Sequence, residues 1–314
     1  MIFLGKYIFI LPLVICMCNV NDVYCYTPVV LWHGMGDSCC FPFSLGAIKK
    51  LIEEKLPGVY VYSIRLGNNV VEDVEYGYYG NINEQVSEVC KLLSENKYLQ
   101  NGYNAIGFSQ GAQFLRAVIQ RCPNPPVRNF ISLGGQHQGV FGLPNCANIN
   151  HKMCKHLTHV IKFGAYLRFV QEKFIQATYW HDPYQEEEYK EKSIFLSDIN
   201  NELHINQTYI DNLQKLQSMV LVKFANDTIV QPQETEWFGF YAPGQEEIIQ
   251  TLEETDLYRE DRLGLKALHN SGKLHFLSVP GNHLQFTESW FVSNVIKMYL
   301  SQRNYDVIFN VISL

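Results

Sequence analysis

The chain has 314 residues, of which 47% are hydrophobic and 18% charged, and its formal net charge is −6. That length holds one large α/β domain with room for an inserted cap, and the composition excludes a disordered chain. An acidic balance without any Lys/Arg block gives no electrostatic basis for binding nucleic acid or for a polybasic membrane patch.

In chain order, residues 1–25 read as a secretory signal peptide. Lys6 supplies the positive start, 7–18 the apolar run, and 19–25 a cleavage zone. The apolar run is roughly a dozen residues, short of the ~20 that span a bilayer, so cleavage is expected rather than anchoring. Residues 28–32 (PVVLW) are β-formers that end in His33-Gly34, a strand followed by a tight turn. A helical spacing over 44–56 stops at Pro57-Gly58, and 59–64 reads as the next strand. Apolar residues at Ile82, Val86, Val89, Leu92 and Leu93 predict an amphipathic helix over 82–93. Residues 103–108 form a strand, 110–120 a helix and 127–133 another strand. Such alternation predicts a mostly parallel central sheet with helices on both faces. From about 139 to 216 clean strands give way to aromatic and helical stretches, the pattern of a helical cap inserted into a domain of residues 26–314. Strands resume at 219–224 and 274–279, and 286–300 is the closing helix.

Three of the nine cysteines, Cys16, Cys18 and Cys25, lie in or beside the signal. The remaining Cys39, Cys40, Cys90, Cys122, Cys146 and Cys154 suit an oxidising compartment. Asn206 and Asn226 begin N-glycosylation sequons, which have meaning only on the secretory route. No metal site or cofactor is expected. His151, His156 and His159 are loosely spaced and read as polar cap residues, because no ligand pattern accompanies them.

Gly107-Phe108-Ser109-Gln110-Gly111 matches G-x-S-x-G between a predicted strand and a predicted helix. In the α/β-hydrolase fold this turn presents a nucleophilic serine, and its glycines let the turn close. A serine hydroxyl needs a base, and the base an orienting acid, in the chain order Ser, Asp or Glu, His. Asp227 follows the 219–224 strand, and His283 follows the 274–279 strand through Pro280-Gly281-Asn282. The rival bases His275 and His269 sit within or before that strand, and the rival acids Asp182, Asp198 and Asp211 fall in the cap. The oxyanion donors expected are the backbone N–H groups of Gln110 and of Met35, the latter in the glycine loop 33–37 (HGMGD).

Several longer strings share one resemblance. HGMGDSCC (33–40), GFSQGAQFLRAV (107–118), ISLGGQHQG (131–139), YWHDP (179–183), EWFGFY (236–241) and DRLGLK (261–266) resemble the palmitoyl-protein thioesterases, and the similarity runs from about 27 to 300. The resemblance implies a lysosomal α/β-hydrolase that removes palmitate from S-acylated proteins and peptides, with Ser109 as nucleophile, Asp227 as acid and His283 as base. It implies Met35 and Gln110 as oxyanion donors, and disulfides Cys39–Cys40, Cys90–Cys122 and Cys146–Cys154. The sequons at Asn206 and Asn226 match as well. Ala112 departs from a usual second glycine, and Pro280-Gly281-Asn282 from a more acidic approach to the histidine. A long acyl chain requires an apolar groove, for which the aromatic segments around 163–174 and 237–241 are candidates. The competing readings are a lipase or carboxyl esterase of the same fold, and a non-catalytic lipid-binding protein.

Overall fold

The computed structural model describes residues 26–142 and 164–302. The expected signal peptide, the Cys146–Cys154 pair and His151, His156 and His159 lie outside the described residues. Six strands form one parallel sheet in the order β2-β1-β3-β4-β5-β8. These are β1 (Val29–Trp32), β2 (Val61–Ser63), β3 (Tyr103–Phe108), β4 (Val127–Leu133), β5 (Ser218–Phe224) and β8 (Leu274–Val279). The short pair β6 (Phe240–Tyr241) and β7 (Ile249–Gln250) stands apart as an antiparallel ribbon.

Both faces of the sheet are covered, which is why its strands read as apolar runs rather than as alternations. In β1, Val29 and Leu31 point into one core, and Val30 and Trp32 into the other, as the two-residue strand period requires. The first core is closed by helix α1 (Leu45–Lys55) and by the C-terminal helix, whose α-helical turn Glu288–Phe291 continues as a π-helix over Val292–Leu300. The second is closed by α3 (Ile82–Glu95) and α4 (Gln110–Arg121). Helix α3 starts where the Asn81 side chain accepts the Asn83 N–H, and it buries Ile82, Val86, Val89 and Leu93. Helix α2 (Val70–Tyr76) is capped the same way by Asn69. The strand expected over 59–64 contracts to Val61–Ser63, because β2 is an edge strand paired on one side only, with β1.

Between β4 and β5 the described residues form no named strand. Short helices Arg168–Gln171, Glu186–Lys192, Leu196–Ile199 and Gln207–Gln214 lie there. Helix α4 runs beneath them and is buried along nearly its whole length, polar residues included. Arg116 shows how that is tolerated. Its guanidinium donates to Ile199 O at 3.0 Å, His137 O at 3.1 Å and Asn200 Oδ1 at 2.8 Å. Burial pulls its pKa down to about 9. Those three acceptors tie α4 to the helix Leu196–Ile199 and to the segment just after β4, since leaving such a donor unpaired would be costly.

Disulfides join Cys39 to Cys40 and Cys90 to Cys122. The second fastens α3 to the end of α4 across a sequence separation of 32. Loop-closure entropy over that span corresponds to about 3–4 kcal/mol. Replacing both Cys90 and Cys122 by alanine is therefore expected to lower the unfolding free energy by about that amount, read from urea unfolding of the purified protein.

Candidate active site

All the predicted site residues lie beyond the carboxyl ends of parallel strands, where an open α/β sheet places its ligand crevice. Gly34 and Met35 follow β1, Ser109 follows β3, Asp227 follows β5 and His283 follows β8. Ser109 occupies the turn from β3 into α4 with φ 54° and ψ −127°, a conformation that costs a non-glycine residue energy. Neighbouring elements hold it there. Its N–H donates to Leu133 O at 2.8 Å, and its carbonyl accepts from Ala112 N at 2.9 Å. The flanking glycines make the turn possible. A Cβ on Gly107 would lie 2.3 Å from Ala112 Cα, and one on Gly111 would lie 2.3 Å from His33 O.

Asp227, His283 and Ser109 form one hydrogen-bonded row. His283 Nε2 is 2.9 Å from Ser109 Oγ, and Nδ1 bonds Asp227 Oδ2 in a short contact. A carboxylate at Nδ1 fixes the proton on that nitrogen and leaves Nε2 free to accept from the serine hydroxyl. The Asp227 side chain is fully buried, and that of His283 is 12% exposed. The other oxygen of Asp227 accepts Ile229 N at 2.7 Å and Val230 N at 3.0 Å. Burial works against the charge on Asp227. The hydrogen bond and charge of His283, with the other donors, outweigh it and hold the carboxyl below its ordinary range. Asp227 is thus ionised wherever the histidine can act as a base.

Met35 lies in the loop after β1 and Gln110 is the first residue of α4. Among the described residues, no backbone acceptor takes either N–H. The N–H of a first helical residue has no partner within its helix and is suited to an anion. The Met35 loop is braced from behind. Asp73, completely buried, accepts Cys39 N at 2.8 Å and Leu66 N at 2.9 Å, and lies 3.3 Å from His33 Nε2. Burial disfavours a charge on His33, but the hydrogen bond and charge of Asp73 reverse this and raise it. The Gln110 side chain is fixed too. It donates to Gly77 O at 2.8 Å and accepts from Tyr179 Oη at 3.2 Å.

A cavity of about 470 Å³ opens over Ser109, lined among others by Met35, Asp37, Ile229, His283 and Leu284. Among the described residues, those that line it include none from 164–174 or 237–241. Trp237 instead donates its indole N–H to Leu221 O at 3.0 Å, and Phe238 is buried against His137. Of the 237–241 segment, Phe238 belongs to the core, while Phe240 and Tyr241 line a second cavity together with His181 and Arg262. The rivals lie elsewhere: His275 packs on Tyr299, His269 bonds Tyr258, Asp198 pairs with Arg121, and Asp211 meets Gln207. Asp182 caps its own turn at Tyr184 N. Asn206 and Asn226 are both exposed.

One residue of this site carries no role in the sequence reading. Glu236 is completely buried in a short 3₁₀-helix, Gln233–Trp237, that follows β5, and its Oε2 accepts Phe224 N at 2.9 Å. Its carboxyl, one Asp227 oxygen and one His283 nitrogen all lie within 4.8 Å of one another. The signal was present as an acid inside the aromatic string EWFGFY, but an acid on a turn is ordinarily exposed.

The strand order, the serine turn and the Ser–His–Asp row define an α/β-hydrolase of the serine-nucleophile class. The family described as palmitoyl protein thioesterase matches residues 28–283. Palmitoyl-protein thioesterase 1 of Caenorhabditis elegans is 54% identical over 92% of this chain and 98% of its own. Palmitoyl-protein thioesterase 3 of Dictyostelium discoideum is 38% identical over 82% of this chain and 84% of its own. Lysosomal thioesterase PPT2-B of Xenopus laevis is 29% identical, covering 88% and 91% respectively. The chain belongs to the palmitoyl protein thioesterase family. Among the described residues no helix is long and apolar enough to cross a membrane.

The glycine contacts make a prediction. Gly111→Ala forces its new methyl against the His33 and Trp32 carbonyls. It is expected to cost about 1–3 kcal/mol, the usual price of overpacking, and to lower turnover by displacing Ser109. Thermal unfolding beside a kcat measurement checks both effects.

Proposed function

We propose that the protein hydrolyses long-chain fatty-acyl thioesters, palmitoyl-cysteine in proteins or peptides foremost, through Ser109, His283 and Asp227. The observation that carries this reading is the Ser109–His283–Asp227 row in a chain of a thioesterase family. Ser109 Oγ attacks the acyl carbonyl while His283 Nε2 takes its proton. The carbonyl oxygen becomes an oxyanion, received by the N–H groups of Met35 and Gln110. Collapse of the intermediate breaks the C–S bond, the departing sulfur takes the proton held on His283, and an acyl-serine remains. A thiol of pKa about 8.5 leaves readily, so the reaction asks little of that acid. Neutral His283 then takes a proton from water as it attacks the acyl-serine, and returns it to Ser109 Oγ as the fatty acid leaves. At ~0.8 kcal/mol per buried methylene, a long chain supplies much of the binding energy. An oxygen ester of the same chain has a poorer leaving group, so thioesters are the favoured substrates.

Export is part of the same proposal. The 1–25 signal, the sequons at Asn206 and Asn226, and a Cys146–Cys154 bridge beside the two disulfides above suit a secreted or lysosomal protein. One relative is named lysosomal, and the 139–216 insertion is read as the cap over the acyl site.

Purified protein is expected to release thiol from an S-palmitoyl peptide, and Ser109→Ala to release none. Intact folding with no release by either would sink the thioesterase reading and favour an esterase or a lipid carrier. Asp227→Asn should lower kcat by about four orders of magnitude, the loss seen when a triad histidine takes the wrong tautomer. Because protonated His283 cannot accept the serine proton, kcat/KM should fall on the acid side. A profile flat or rising down to about pH 4.5 contradicts this.

A further inference from the structure

Glu236 presents an unresolved valence. Its Oε2 is satisfied by Phe224 N, while Oε1 is buried and finds no donor to accept from. Facing it is a carboxylate that is itself ionised, Asp227. Two buried carboxylates at this range repel, and a single shared proton converts that repulsion into a hydrogen bond.

Among the described residues, the one nearby cation whose charge favours ionised Glu236 is Lys223, and burial and Asp227 outweigh it. Lys223 Nζ is 3.8 Å from Glu234 Oε1, its salt-bridge partner, and lies over the Trp237 ring. His283 is engaged by Asp227. His137, stacked on Phe238 behind the turn, is kept neutral by burial and by the charge of Arg116.

We propose that Glu236 is held as the neutral acid and donates a hydrogen bond from Oε1 to Asp227, drawing off part of the carboxylate charge that would otherwise favour protonated His283. It acts through Asp227 and touches no substrate, so it is a positioning residue. Burial, followed by the hydrogen bond and charge of Asp227, pushes its carboxyl well above the usual range, in keeping with the proton residing there. The consequence is that Asp227 presents less charge to His283 Nδ1 than the carboxylate of an ordinary Asp–His pair would. This function for Glu236 rests on the thioesterase reading, but its protonation does not.

Two measurements test it separately. The first needs no turnover. A carboxyl whose folded pKa is raised contributes stability that is present below its unfolded value and lost as pH rises toward the folded value. Glu236→Gln keeps the shape and a donor but cannot ionise. Its melting temperature relative to the parent should therefore climb as pH rises from about 4.5 to about 8. A difference that is flat or falls with pH overturns the proposal.

The second is the kcat/KM profile on an S-palmitoyl peptide. Glu236→Gln should leave the acid limb in place, whereas Glu236→Met, which cannot donate, should move it up by about one pH unit. Loss of an ionised Glu236 would instead move the limb down in Glu236→Gln, and that result also overturns the proposal. If Glu236→Met fails to fold, Glu236→Gln alone decides, because an unmoved limb supports the proposal and a limb moved down overturns it. A parent that turns over no thioester defeats the functional reading and leaves the melting comparison to judge Glu236.

Discussion

The site depends on one backbone conformation. Ser109 sits at φ 54° and ψ −127°, which a side-chain-bearing residue adopts only under compulsion. The compulsion comes from the sheet and from α4. β3 delivers the chain, the Ser109 N–H is spent on Leu133 O of the neighbouring β4, and α4 begins at the next residue. Gly107 and Gly111 are the concession, since neither has space for a Cβ. With the turn so held, the Ser109 hydroxyl meets His283 Nε2 and the α4 N-terminus stands beside it.

The end of β5 gathers the electrostatics. Asp227 is fully buried, yet its oxygens take two backbone N–H groups and the histidine, which suffices to keep it ionised. The next turn brings back Glu236, pinned to the last residue of the same strand. In the proposed arrangement the two acids have opposite protonation, one charged and one neutral, as environment can enforce on neighbouring carboxyls. The buried Asp73 performs a different task, bracing the Met35 loop through Cys39 N and Leu66 N.

The sequence was most informative where chemistry demands particular residues. G-x-S-x-G, HGMG and the placing of Asp227 and His283 after strands were legible because strand, turn and function coincide in a few adjacent residues. The alternation of strands and helices gave the parallel sheet for the same reason. Contacts that join distant segments were not legible. Arg116 looks like a surface arginine of an amphipathic helix until Ile199, His137 and Asn200 are seen around it. Disulfide pairings could not be derived from spacing, and came only with the family resemblance. The aromatic run 237–241 read as a groove candidate, and Phe238 within it lies in the core, since an apolar string does not disclose which apolar surface it meets. Glu236 escaped notice because a polar residue there gives no periodic signal.

The central claim is an acyl-enzyme on Ser109. Mixing the protein with a long-chain acyl thioester and quenching early would test it, with thiol release followed from the first turnover and the Ser109 peptide weighed by mass spectrometry. The account predicts a burst of thiol matching the enzyme present, and an acyl group on that peptide which is absent in Ser109→Ala. Thiol release without a burst, with Ser109 never acylated and with Ser109→Ala still active, would contradict it.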